Sequence, residues 1–272
     1  MANSPFQTVD LITSAANAEV KAMRALHERK YRKKSGWFLA EGMRICREAV
    51  ELGWNIHRLA FLAGRDSNAQ LRPLLDGIVA SGGRALPVTE ALLKRISGKD
   101  NPQTLLGAFA QRWFNLNTIT SKTDEIWLAL DRVRDPGNLG TILRTVDAVG
   151  AKGVILVGES TDPYSVESVR ASMGAVFNVK IIACSEDDFI SFSHNWRGQI
   201  IGTVLSAPVS YRIADYNGPL IMMMGSERSG LTSALTDICD KLIKIPMRGR
   251  SDSLNLAVAT GVVLYNAIEK RL

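Results

Sequence analysis

The sequence predicts an α/β protein of two units, a smaller α/β sandwich followed by a larger domain built on a parallel sheet. Three observations carry this reading. Short apolar stretches alternate with helical patterns along nearly the whole chain, as when strands are interleaved with helices. From residue 126 onward several of these stretches are apolar on both faces, as strands are in a sheet covered by helices on both sides. The charge balance also shifts near residue 115. Residues 1–115 hold 17 Lys+Arg against 10 Asp+Glu and the remainder 16 against 17, so all the excess behind the net charge of +6 lies in the first part. A length of 272 residues suits one large or two medium domains, and 46% apolar content supports real cores.

Taken in order, residues 1–16 read as a loose, flexible arm and 17–115 as the first domain. Asn17 is placed to cap a helix over Ala18–Lys34 whose apolar face is Val20, Met23, Ala25 and Leu26. A strand follows at Trp37–Glu41 and a helix at Met43–Leu52, which Gly53 ends. Ile56–Leu62 is the next strand and Ala69–Ser81 the next helix, closed by Gly82-Gly83. Leu86-Pro87-Val88 begins another strand, Thr89 caps a helix over Glu90–Ser97, and Leu105–Gln111 is the last strand of this domain. Leu116–Asp124 is polar and without periodicity, which marks 116–124 as a linker.

The second domain, 125–272, carries strands at Ile126–Asp131, Gly153–Gly158, Val176–Ile182, Gln199–Val204, Pro219–Gly225 and Lys241–Pro246. Helices fall near Leu139–Val149, Tyr164–Met173, Glu186–Asn195, Ser229–Cys239 and Ser253–Arg271. In open sheets of this kind a ligand sits beyond the carboxyl ends of the strands. That rule directs attention to the loops after Asp131, Val204, Gly225 and Pro246.

Several function classes are excluded. The longest apolar run, Leu254–Ile268, is broken by Asn255, Thr260, Gly261 and Asn266, and no run approaches the roughly 18–20 residues of a membrane span. The first residues lack the pattern of a secretory signal. Cys46, Cys184 and Cys239 are scattered, as are His27, His57 and His194, so neither a disulfide framework nor a metal site is expected, and a reducing cytoplasm is the simplest setting. No histidine lies near the four loops, which rules out a Ser-His-Asp or Cys-His set, and no paired carboxylates point to hydrolysis. The phosphate-gripping GxxxxGK[ST] and the dinucleotide GxGxxG are both absent.

The loops do carry polar chemistry. After the first strand, Pro136-Gly137 turns the chain, Asn138 is placed as a helix cap, and Arg144 follows six residues on among Ile142, Leu143 and Val146. A guanidinium so embedded needs an anion, either a structural partner such as Asp131 or Asp147 or a substrate phosphate. After the fifth, Gly225 permits close approach of a ligand, and Glu227 stands at a helix start, where a carboxylate is favoured with or without a function. After the sixth, Pro246 stops regular pairing and Ser253-Leu254-Asn255 lead into an apolar helix. Arg, Glu, Ser and Asn around an apolar, glycine-lined cleft suit the binding of a cofactor that brings its own reactivity. In the first domain Lys21, Arg24, Arg29, Lys30, Arg32, Lys33 and Lys34 form a basic run, either a solvated helix face or a surface for a polyanion.

Taken together, Asn138-x-Gly140-Thr141-x-x-Arg144-Thr145, Gly225-Ser226-Glu227-x-x-Gly230-Leu231, Ile245-Pro246-Met247 and Ser253-Leu254-Asn255-x-x-x-Ala259 closely resemble the three ordered motifs of the SpoU (TrmH-like) family. These are S-adenosylmethionine-dependent RNA ribose 2′-O-methyltransferases of the SPOUT class. Asn17–Gly53, with Lys30-Tyr31-Arg32, Phe38, Glu41-Gly42 and Glu48-Ala49, is similar to the ribosomal-protein-like substrate-binding domain of many ribosomal-RNA members. Two positions depart from the pattern: Leu256-Ala257 stand where Val-Ser is common, and Val146 where Ala is usual.

The resemblance implies a deep trefoil knot in the second domain, an exception to the rule that chains avoid threading loops. It implies S-adenosylmethionine held around Thr203, Leu205, Gly225, Ile245, Met247 and Leu254, and a homodimer that completes the active site. The catalytic residues carried over are Arg144, Asn138, Glu227, Ser253 and Asn255. Arg29, Lys30, Arg32 and Lys33, with Arg248 and Arg250, would hold RNA phosphates. The expected activity is methyl transfer to a ribose 2′-hydroxyl of ribosomal RNA in the cytoplasm, without metal or membrane. The alternatives are a transfer-RNA substrate and an RNA-binding protein of the same fold without transfer activity.

Overall fold

The computed structural model describes residues 10–121 and 125–271. The chain divides into two compact units. The first runs to Gln111 and takes in Tyr164–Phe177; the second comprises Arg112–Pro163 and the chain from Asn178 on.

The first unit is a four-stranded mixed sheet. Its strands are β1 (Trp37–Glu41), β2 (Ile56–Leu62), β3 (Arg84–Val88) and β4 (Leu105–Ala110), in the order β1-β4-β2-β3. β4 is antiparallel to β1 and β2, and β2 is parallel to β3. The helices are α1 (Ala18–Ala25), α2 (Arg29–Ser35), α3 (Met43–Glu51), α4 (Arg72–Ala80) and α5 (Glu90–Ser97). Asn17 caps α1 by accepting from the N–H groups of Glu19 and Val20, and Thr89 caps α5 through the N–H of Leu92. α1 and α5 bury Val20, Met23, Leu92 and Ile96 against Leu39, Ala60 and Leu86.

The single helix expected over Ala18–Lys34 is two helices. The break at Leu26–Glu28 is held by Arg32, which is 3% exposed and donates from Nη1 to the carbonyls of Leu26 (2.8 Å) and His27 (2.9 Å). Arg32 therefore works inside the fold and does not belong to the exposed basic run. The expected arm differs too. Residues 1–9 lie outside the described residues, but Ile12 pairs with β3 through its N–H to the carbonyl of Pro87.

Tyr164–Phe177, placed by the sequence within the second domain, packs in the first unit. Its helix is short, Val166–Ala171, and Ala175–Phe177 is a 3₁₀ turn, not the start of a strand. The reason is aromatic packing: the rings of Tyr164 and Phe177 lie tilted against that of Phe38, and the Trp54 indole N–H donates to the carbonyl of Phe177 at 2.8 Å. Arg170 also reaches the nearly buried Glu41 carboxylate and the carbonyl of Ser97.

The second unit is a seven-stranded, wholly parallel sheet. Its strands are β5 (Ile126–Asp131), β6 (Gly153–Val157), β7 (Lys180–Cys184), β8 (Gln199–Thr203), β9 (Val209–Ser210), β10 (Leu220–Met224) and β11 (Lys241–Lys244). They lie in the order β7-β6-β5-β10-β8-β11-β9. β5, β6 and β10 are buried along their whole length, which accounts for their continuous apolar sequences. The helices are α6 (Pro136–Ala148), α8 (Glu186–Ser193), α9 (Ser233–Asp237) and α10 (Leu256–Glu269), counting Val166–Ala171 of the first unit as α7. α10 packs on α6. The expected linker is largely part of this unit: Leu116–Thr118 is a 3₁₀ turn, Leu116 and Ile119 are buried in the core, and Phe114 pairs with β7, while 122–124 lie outside the described residues. Because every strand is parallel, the carboxyl ends of β5, β8, β10 and β11 open at one end of the sheet.

Candidate functional site

The loop after β5 turns into α6 through Asp135, not Asn138. The Asp135 carboxylate accepts from the N–H of Asn138 at 2.6 Å, and Pro136 occupies the first helical turn, where its missing N–H costs nothing. The cap being supplied by Asp135, the Asn138 side chain is available for other partners. Its Nδ2 donates to Glu227 Oε1, and its Oδ1 accepts from Asn255 Nδ2 at 2.9 Å. Asn255 in turn caps α10, its Oδ1 accepting from the N–H groups of Ala257 (2.9 Å) and Val258 (3.3 Å). One hydrogen-bonded chain thus joins residues from three of the four loops that the sequence singled out, those after β5, β10 and β11.

Glu227 does not stand in the first turn of a helix. It lies in a tight turn, Ser226–Gly230, closed by Ser226 N–H to the Gly230 carbonyl (3.2 Å) and Gly230 N–H to the Ser226 carbonyl (3.0 Å). The helix begins later, at Ser233, where Thr232 supplies the cap. Gly225 is required at the root of this turn, since an added Cβ would overlap the backbone of Gly230 and Leu231.

Beside this chain lies a cleft of about 680 Å³, within the usual size range for a cofactor or small-ligand site. All six residues expected around a cofactor, Thr203, Leu205, Gly225, Ile245, Met247 and Leu254, line it. Glu227 and Ser253 line it as well, and so does Asp252, which the sequence reading did not single out. A larger recess of about 840 Å³ between Phe114, Cys184 and Asn195 contains none of the motif residues, so its size carries no weight against the chemistry of the smaller cleft.

Arg144 departs from expectation in an informative way. It is exposed on α6, and among the described residues it has neither hydrogen-bond nor ion-pair partner. Asp131, one partner considered, is 1% exposed and held by Arg132 at 2.7 Å; Asp147, the other, accepts from Asn178. Arg144 does not line the cleft. Arg248 and Arg250 are exposed in the loop after β11. In the first unit Arg29, Lys30 and Lys33 are exposed, with Lys30 close to Glu28 at 3.1 Å.

Chemically, the cleft offers apolar walls from Leu205, Ile245, Met247 and Leu254 with two carboxylates, Glu227 and Asp252. That set fits an adenosyl group carrying a positive sulfonium: apolar surface for the ring, negative charge for the cation. Among the described residues no group of three or more His, Cys, Asp or Glu side chains could hold a metal ion. No helix among them is long and apolar enough to cross a membrane.

Comparison with known proteins agrees with this geometry. The model of the SpoU rRNA Methylase family matches residues 125–265, and that of the MRM3-like substrate binding domain matches 17–107. A 23S rRNA (uridine(2479)-2′-O)-methyltransferase of Streptomyces viridochromogenes is 29% identical over 95% of this chain and 92% of its own. A 23S rRNA (guanosine-2′-O-)-methyltransferase of Haemophilus influenzae is 31% identical over 78% of this chain and 88% of its own. The crystal structure of an AdoMet-bound rRNA methyltransferase from Sinorhizobium meliloti superposes with a TM-score of 0.92 at 43% identity, over 97% of this chain and 98% of that one. With three motif loops joined by one hydrogen-bonded chain beside a cofactor-sized cleft, and a family model spanning them, this chain belongs to the SpoU rRNA Methylase family.

Proposed function

We propose that the protein transfers a methyl group from S-adenosylmethionine to a ribose 2′-hydroxyl of ribosomal RNA, in the cytoplasm. The observation that carries the reading is the Glu227–Asn138–Asn255 chain at a cleft lined by all six expected cofactor residues. The names of the relatives, which act on 23S rRNA, favour ribosomal over transfer RNA.

S-adenosylmethionine supplies an electrophilic methyl group. What remains for the protein is alignment and help with the loss of the hydroxyl proton. Arg144 is the anchor for an RNA phosphate: exposed, unpartnered among the described residues, and bearing a fork of donors suited to phosphate. It does not act as a base, because a guanidinium stays protonated. It orients the ribose and stabilises the charge that develops on the 2′-oxygen, and a substrate phosphate or water takes the proton. Asn138, Glu227, Asn255 and Ser253 fix the loops around the acceptor. Arg248 and Arg250 hold further phosphates, and Arg29, Lys30 and Lys33 grip RNA through the first domain. The active protein is a homodimer with a knotted second domain. Support for a second copy comes from α10, whose Val258 and Tyr265 are more than half exposed while Leu256, Ala257, Thr260, Val263, Leu264 and Ala267 of the same helix are buried.

The test is the identity of the product. Ribosomal RNA from cells lacking the protein is incubated with it and labelled S-adenosylmethionine, then hydrolysed in alkali. A methylated 2′-oxygen blocks strand cleavage, so the label is expected in an alkali-stable dinucleotide. Label in a methylated base, or no label although the cofactor binds, overturns the proposal.

A further inference from the structure

We propose that Arg132 is a positioning residue, which fixes the Ser226–Gly230 turn so that Glu227 meets Asn138. The proposal rests on the methyltransferase reading. The backbone of Arg132 has φ 49°, in the left-handed region, where among the described residues only Met173 joins it outside glycine. Such a conformation is unfavourable for a residue with a Cβ and persists where surrounding contacts hold it.

The contacts are specific. Arg132 Nε and Nη2 donate to the two oxygens of Asp131 at 2.7 and 2.8 Å, and Asp131 is buried at the end of β5. The Asp131 bonds, and behind them the charge of Glu186, hold the guanidinium above its ordinary pKa. Nη2 also lies 3.4 Å from the carbonyl of Gly230. That carbonyl accepts from the Ser226 N–H and closes the turn carrying Glu227. Meanwhile the Arg132 N–H stays on the carbonyl of Val157, at the end of β6. The fork thus ties the loop after β5, which leads to Asn138, to the loop after β10, which leads to Glu227. A lysine keeps a positive charge beside Asp131 but has a single donor centre, so it does not span both Asp131 oxygens and the Gly230 carbonyl together.

The test separates charge from fork geometry. Arg132→Lys and Arg132→Gln are compared for thermal midpoint, for cofactor affinity by calorimetry, and for kcat of methyl transfer in the alkali-stable dinucleotide. Stability follows charge, so Arg132→Lys melts close to the wild type and Arg132→Gln lower. Turnover follows the fork, so both variants lose about tenfold in kcat, as misplacement by a fraction of an ångström produces. A merely structural arginine gives the other pattern, with Arg132→Lys retaining kcat within twofold, and that result overturns the proposal. If Arg132→Lys does not fold, the double variant Asp131→Asn, Arg132→Gly is read in its place. Glycine accepts the left-handed backbone and asparagine removes the unpaired charge. It too loses about tenfold in kcat if the fork positions the turn; kcat within twofold of the wild type overturns the proposal. A wild-type protein that puts no label in the dinucleotide fraction contradicts the methyltransferase reading itself, a separate outcome.

Discussion

Arg32 in α2 is buried on two backbone carbonyls, whereas Arg144 in α6 stands in solvent without a partner among the described residues. Both lie in helices and both have positive or polar neighbours. The difference is the backbone around them. Between α1 and α2 the helical ladder breaks, and the carbonyls of Leu26 and His27 turn to a side-chain donor. α6 is unbroken from Pro136 to Ala148, and even its threonines bond back into it, Thr141 to Gly137 and Thr145 to Thr141. Such a helix offers no backbone acceptor to Arg144, and its guanidinium stays in solvent. One arginine stabilises; the other is available.

This contrast is broken most forcefully at Arg32. Arg32→Met keeps the apolar stem but strands the two carbonyls, and is expected to cost about 2–3 kcal/mol in denaturant unfolding. Arg29→Met, one turn away and exposed, is expected to fall within about 0.5 kcal/mol of the wild type. Equal costs for the two would show that Arg32 is not the side chain holding the break. A second comparison sharpens the exposed side. Replacing Arg29, Lys30 and Lys33 together with Gln should weaken RNA binding and lower the slope of log affinity against log salt by about 2, at roughly 0.7 per phosphate contact with a single strand. An unchanged slope returns these side chains to a solvated surface. The smallest effect concerns Glu19. Burial alone would raise its carboxyl pKa, but bonds from Arg58 and Arg84, each at 2.5 Å, bring it below the ordinary 4.5. With the folded value depressed, its contribution is complete above pH 4.5 and is lost as pH falls through the folded value. Glu19→Gln should therefore lower stability at pH 7 and flatten the fall on the acid side; parallel acid limbs would contradict this.

Much of this was legible in local pattern. β1, β2, α5 and β5 begin and end where alternation, capping and apolar runs put them, because each is specified within its own residues. The six residues around the cleft were legible for a different reason: the resemblance of the ordered motifs to the SpoU family carried their positions over to this chain. What escaped depended on partners far away in the chain. Phe177 leaves the expected strand because Phe38 and Trp54 take it, and neither is visible from its neighbours. β9 is two residues long and exists only as a partner of β11. Asn138 looks like a cap until Asp135, three residues earlier, proves to fill that role and releases it for Glu227. Arg132 carried no pattern beyond following an aspartate at a strand end; its significance lies in the positive φ and the reach to Gly230.

Arg144, exposed on α6 and not among the residues that line the cleft, is the proposed phosphate anchor. Arg144→Ala, measured for cofactor affinity by calorimetry and for label in the alkali-stable dinucleotide, addresses this most directly. Cofactor affinity within about twofold of the wild type, with methyl transfer reduced by about a hundredfold or more, is the predicted result. Transfer at close to the wild-type rate would contradict it.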